Sequence, residues 1–168
     1  MSFVSWFQAP PMKALGLAAA IVLSAPKPAA LAASPFERFL GVWTGGGQIV
    51  GSNGRRESMR CRAEYSEAKD GAALNQSIVC ASESFKFDIK SYAEISGESV
   101  QGNWREASRD VSGHMSGRIS EGQFVGEFSA PTFSAGISLT SNGRTQSVSI
   151  RPRGGDISDV RIELKRHG

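Results

Sequence analysis

The sequence predicts an all-β domain: an antiparallel up-and-down barrel of about ten strands, with a short N-terminal helical turn and a leader ahead of it. Three observations carry that prediction. Beyond residue 33, apolar and polar residues alternate in short runs, the period of strands with one buried face. Four pairs, Asp70-Gly71, Ser96-Gly97, Glu121-Gly122 and Asn142-Gly143, each sit midway between two such runs, as hairpin turns do. The registers implied by these turns set apolar residues opposite apolar residues. Pro35, Pro131 and Pro152 all fall at expected junctions, where a missing amide donor costs no ladder hydrogen bond.

Residues 1–32 read as a signal peptide. Lys13 follows Met12, an alternative start. Residues 14–25 are apolar but too short to span a bilayer comfortably. Pro26-Lys27-Pro28 ends that run, and Ala30-Leu31-Ala32 supplies a small-x-small cleavage pattern. No Cys follows it, which argues against a lipoprotein anchor. Residues 33–168 then form a single β-barrel domain, long enough for one core and too short for two. The expected location is periplasmic or secreted, with no transmembrane segment in the mature chain.

The whole chain of 168 residues carries 19 basic and 16 acidic side chains, a net charge of +3. Lys13 and Lys27 belong to the leader, so the domain is nearly neutral and its charges are scattered. Nothing in that distribution points to nucleic acid.

Taken in order, Ser34-Pro35-Phe36-Glu37 has the capping-box pattern, with Pro at the first helical position. A helical turn running through Arg38 to Leu40 would carry Phe36, Phe39 and Leu40 as an apolar plug, with Gly41 ending it. The first strand follows at once. Ser52-Asn53-Gly54 reads as a three-residue turn that sets Trp43 opposite Ala63 and points it inward; a two-residue Asn53-Gly54 turn would send it outward. Across Asp70-Gly71, Cys61 faces Cys80, Ala63 faces Ile78 and Tyr65 faces Gln76. In an exported protein, an even pair of cysteines in register implies a Cys61–Cys80 disulfide. An unbroken two-residue hairpin would place that pair at a hydrogen-bonded, wider site.

The fourth strand turns Phe85, Phe87 and Ile89 inward and Lys86, Asp88 and Lys90 outward. The next turn pairs Ala93 with Val100 and Ile89 with Trp104. Around Glu121-Gly122, Ile119 meets Phe124, Gly117 meets Gly126 and Met115 meets Phe128. Around Asn142-Gly143, Ile137 meets Val148 and Ala135 meets Ile150. The last strand alternates Val160, Ile162 and Leu164 against Arg161, Glu163 and Lys165. One apolar face per strand fits either a closed barrel or a sandwich; closure removes both exposed edges. Lys86, Lys90, Arg105 and Arg161 on the outer face argue against an outer-membrane barrel.

Gly41, Trp43, Gly45 and Gly47 spell G-x-W-x-G-x-G directly after the helical turn. This resembles the opening of calycin-type small barrels: lipocalins carry the G-x-W, and nitrobindin-like barrels the longer motif. The resemblance covers the first strand. It implies that Trp43 sits at the closed end of a barrel, beneath a basic side chain from a late strand, with Arg151 or Arg161 as covers. The Thr-Asp-Tyr element of lipocalins is absent. The nitrobindin-like haem ligand is a His on a late strand, whereas His167 lies past the last apolar residue, so no cofactor is expected.

The chemistry of the remaining residues is sparse. His114 faces outward, and with His167 as the only other histidine no metal site or Ser-His-Asp arrangement can be assembled. Glu83, Asp88, Glu94, Glu98 and Glu106 fall on outward or turn positions, so no catalytic residue is expected and the chain does not read as an enzyme. Gly45, Gly47, Gly102, Gly117 and Gly126 share the inward face, either because strands bend there or because missing side chains leave a cavity. The expectation is an exported barrel that holds a small apolar or amphipathic ligand against Trp43, Tyr65, Phe85, Trp104, Phe124 and Phe133. The alternative is a cell-envelope interaction or inhibitor-like module, with a filled barrel and loops 107–111 or 152–158 meeting a protein partner.

Overall fold

A computed structural model describes residues 34–167. The expected leader and its cleavage pattern lie outside the described residues. Ten strands follow in chain order: β1 (Gly41–Gly51), β2 (Arg56–Ala68), β3 (Ala73–Ala81), β4 (Lys86–Ser96), β5 (Ser99–Glu106), β6 (Val111–Ser120), β7 (Gln123–Ala130), β8 (Phe133–Ser141), β9 (Thr145–Arg153) and β10 (Ile157–Arg166). Each pairs antiparallel with the next, and β1 pairs with β10, so the sheet closes into a barrel. That pairing excludes the sandwich. Lys86, Lys90, Arg105 and Arg161 are exposed on its outer face.

The N-terminal plug forms, but without a helix. Residues 34–40 make two successive turns, Glu37 N–H to Ser34 O and Phe39 N–H to Phe36 O. The Ser34 hydroxyl accepts the Phe36 amide rather than that of Glu37, and the reciprocal half of the capping box is not seen among the described residues. A segment this short cannot build an i→i−4 ladder, so the barrel satisfies its polar groups instead. Ser34 donates to Gly71 O, Arg38 to Glu121 O, Ser141 to Arg38 O and Trp43 to Phe39 O. Phe36 and Phe39 are buried. Gly41, at φ +104°, turns the chain from plug into β1, a conformation L side chains rarely adopt.

Two hairpins follow the expected pairing residue for residue. Gly54 takes the left-handed position after β1 (φ +82°), so Trp43 pairs with Ala63 and Gly45 with Cys61. Glu121-Gly122 (φ +49° and +83°) pairs Ile119 with Phe124, Gly117 with Gly126 and Met115 with Phe128.

The β2–β3 register also holds, with Cys61 opposite Cys80, but its loop is longer than expected. Lys69 and Asp70 both adopt left-handed conformations, and the last ladder pair is Ala68–Ala73. A four-residue loop shifts the hydrogen-bonding phase by one while leaving the partners unchanged. Cys61 and Cys80 are therefore 4.1 Å apart at Cα and disulfide-bonded, at the narrow type of site rather than the wide one.

Two registers differ from expectation by two residues. Ile95 pairs with Val100, Ala93 with Gly102 and Ile89 with Glu106, because the turn is Gly97-Glu98 instead of Ser96-Gly97. Likewise Leu139 pairs with Val148, Ile137 with Ile150 and Ala135 with Pro152 around Gly143-Arg144. In both cases the glycine occupies the first central position with positive φ, as a type II′ turn requires. Asn142 contributes instead through its side chain, whose Oδ1 accepts the Arg144 and Thr145 amides. A slip of two keeps every side chain on its expected face.

The inward glycines resolve in favour of strand bending. A Cβ on Gly45 would lie 2.1 Å from Glu163 O, on Gly47 1.9 Å from Arg161 O and on Gly102 2.1 Å from Tyr92 O. Only a bare Cα lets the strands coil this closely. Gly117 and Gly126 lie under the Phe124 ring, and none of the five lines the main cavity.

Candidate functional site

Up-and-down connectivity gathers loops 52–55, 82–85, 107–110, 131–132 and 154–156 at one end of the barrel, and the 34–40 plug with the remaining turns at the other. Between them lies a cavity of about 430 Å³, within the range of roughly 300–1,000 Å³ usual for small-molecule sites. Its wall is overwhelmingly apolar, because every second residue of each strand faces in and those positions carry Ile, Leu, Val and Phe. The Cys61–Cys80 disulfide forms part of it.

Of the six aromatic residues read from sequence, four reach this cavity: Tyr65, Phe85, Trp104 and Phe133. Trp104 is their centre. It meets Phe128 and Phe133 edge-on, with centroids 6.0 and 6.3 Å away, and its indole N–H donates to His114 O at 3.0 Å. Those contacts fix the ring as a rigid wall. Phe85 and Phe87 stack at the open end, 6.3 Å apart.

The other two lie elsewhere. Phe124 borders a separate void of about 50 Å³ beside Phe36 and Phe39. Trp43 lines neither space. It is wholly buried, its indole N–H donates to Phe39 O at 2.7 Å, and the Arg166 guanidinium stands 5.1 Å from its ring centroid. Arg166 is thus the basic cover, in place of Arg151 or Arg161, because β10 pairs Arg166 opposite Trp43 while Arg161 pairs with Gln48. His167, adjacent to it, is held at the closed end by its amide bond to Val42 O, opposite the cavity mouth. No group of three or more metal-ligating side chains is found among the described residues.

Polar groups in the cavity are few. At its floor, where the cavity meets the smaller void, Tyr65 faces Gln76 across the ladder. The buried Tyr65 hydroxyl has no hydrogen-bond partner among the described residues. Burial pushes the phenol well above its ordinary value despite the proximity of Gln76.

At the rim, Glu106 and Arg109 form a built corner, and Glu106, expected at an outward or turn position, instead lies opposite inward Ile89 and lines the cavity. The sequence signal was only a Glu at a strand end three residues before an Arg. Glu106 is buried, and its carboxylate accepts the amides of Asp88, Ser108 and Arg109 at 2.9, 3.0 and 2.8 Å. Burial alone would raise its pKa, but these donors outweigh it and hold the group below the usual carboxylate value. Glu57 does the same for loop 82–85, accepting the Ser84 amide and Ser82 hydroxyl, and is lowered for that reason.

Because both carboxyls have folded pKa values below their ordinary 4.5, they stabilise the fold above that pH and lose the contribution as pH falls through the lowered values. Melting temperature should therefore fall on acidification below about pH 4.5. Glu106→Gln should be less stable than the parent at neutral pH, with the difference shrinking in acid. A difference independent of pH would show that the charge on Glu106 does not hold the loop.

The fold and cavity define a class, the closed calycin-like β-barrel with a plugged end and an apolar interior. Comparison with solved structures agrees at the level of fold. The crystal structure of Rv2717c from M. tuberculosis superposes with a TM-score of 0.66 at 16% identity, covering 83% of this chain and 99% of that one. The S-type phycobiliprotein lyase CPES from Guillardia theta gives 0.54 at 12% identity, over 79% and 90%. No family model matches the chain, and no curated protein matches it.

Proposed function

We propose that this protein is an exported, non-enzymatic binding protein that holds a small apolar or amphipathic molecule inside its barrel. The observation that carries this reading is the 430 Å³ cavity, walled by Tyr65, Phe85, Trp104 and Phe133 and reaching the loop-bearing end. Small barrels whose only task is structural fill this space with side chains. The cavity weighs against an interaction module built on a filled barrel. Export is supported by the leader-like sequence and by the disulfide, which oxidising compartments favour.

Protein purified without detergent should release an extractable small molecule, or should bind the neutral fluorescent probe N-phenyl-1-naphthylamine. Trp104→Ala should weaken probe binding by about fivefold or more, since it removes a buried aromatic wall. Lys86→Ala, on the outer face, should leave it unchanged. A protein that carries nothing and binds no probe would refute the reading.

A further inference from the structure

We propose that the ligand is an anionic single-chain amphiphile, bound tail-inward with its head group paired to Arg109 at the rim. This rests on the binding reading above and specifies its chemistry. Among the described residues three charged side chains border the cavity, Glu106, Arg109 and Asp156, of which Arg109 is the one cation. The other arginines of the open end do not line the cavity. Of these, Arg55 pairs with Glu57 and Glu83, Arg105 with Asp110 and Arg153 with Glu127, while Arg56 donates to Gln48 Oε1.

Arg109 differs from them in how it is held. Its guanidinium lies 4.9 Å from the centroid of Phe87, a wall residue, and Nη1 donates to Lys86 O at 3.0 Å. The same Nη1 also donates to Glu106 at 3.5 Å, an ion pair with a carboxylate that three backbone amides engage as well. Among the described residues nothing engages Nη2 or Nε. The fork is thus positioned by an aromatic face, a carbonyl and the Glu106 carboxylate, with Nη2 and Nε left for an incoming oxyanion. Asp156 precedes β10, on the far side of the ring of strands from the β5–β6 loop. An anionic head beside Arg109 therefore has the width of the mouth between it and Asp156. Among the described residues the apolar interior offers no cation to receive a charge, which sets the orientation: the tail enters and the head stays at the rim.

The test compares laurate with dodecanol, equal in chain length, as competitors of N-phenyl-1-naphthylamine at a pH where the carboxylate is ionised. Laurate should bind the parent protein about five- to tenfold more tightly, as expected for a charge-assisted pair at a half-exposed site. Arg109→Gln should abolish that preference without changing dodecanol affinity, and Arg109→Lys should restore part of it. Asp156→Asn should leave the order intact. Equal binding of the two in the parent, or an equal loss of both in Arg109→Gln, would overturn the proposal while leaving the binding reading in place. Failure of both compounds and of the probe to bind would overturn both.

Discussion

Replacing Trp43 with Ala is expected to lower the unfolding free energy by about 3–5 kcal/mol, the range for deleting a buried aromatic residue with its cavity term. Trp43 is completely shielded from solvent and packs at the closed end between the plug and the start of β1. The substitution also strands Phe39 O, which now accepts the indole N–H, and removes the ring beneath Arg166. A buried carbonyl without a partner adds its own penalty. Trp43→Phe should cost less, about 1–2 kcal/mol, because it keeps most of the apolar contact and loses the hydrogen bond. Denaturant unfolding of the two variants checks both figures. A loss below about 1 kcal/mol for the Ala variant would mean that the plug and the closed end contribute little to stability.

Removing the disulfide is the second large effect. The Cys61–Cys80 bridge closes a loop with a sequence separation of 19, for which the loop-entropy model gives about 3 kcal/mol. The double variant Cys61→Ala/Cys80→Ala should be destabilised by about that amount; Ala avoids placing hydroxyls in the apolar wall. Intact mass under non-reducing conditions should be two hydrogens below the reduced mass. Free thiols in protein recovered from an oxidising compartment would refute the bridge. The same bond lines the cavity, so the double variant should also bind N-phenyl-1-naphthylamine more weakly if the wall relaxes.

Much of the barrel was legible because hairpins are local. Strand number, the inward face of the apolar side chains and the pairing of Cys61 with Cys80 follow from a period of two and from short turns, both written in adjacent residues. Even the slips at Gly97-Glu98 and Gly143-Arg144 preserved the inward face, since a displacement of two residues returns every side chain to its own side. The error there was in turn chemistry: glycine took the first central position instead of the second.

Depth along the barrel axis was not legible. Trp43 and Phe124 point inward as expected, yet they lie at the plugged end, while Tyr65, Phe85, Trp104 and Phe133 surround the cavity. Alternation states which face a residue occupies and says nothing of its height, which depends on strand tilt and on how the glycine-marked bends coil one strand over the next.

By itself, then, the sequence determined the strands, their inward faces, the disulfide partners and the aromatic character of the interior. Only the tertiary structure decided closure through β1–β10, the position of the cavity, Arg166 as the cover of Trp43, and the rim corner of Glu106 and Arg109. Those features join residues far apart in the chain or in loops without periodicity, so no local pattern encodes them.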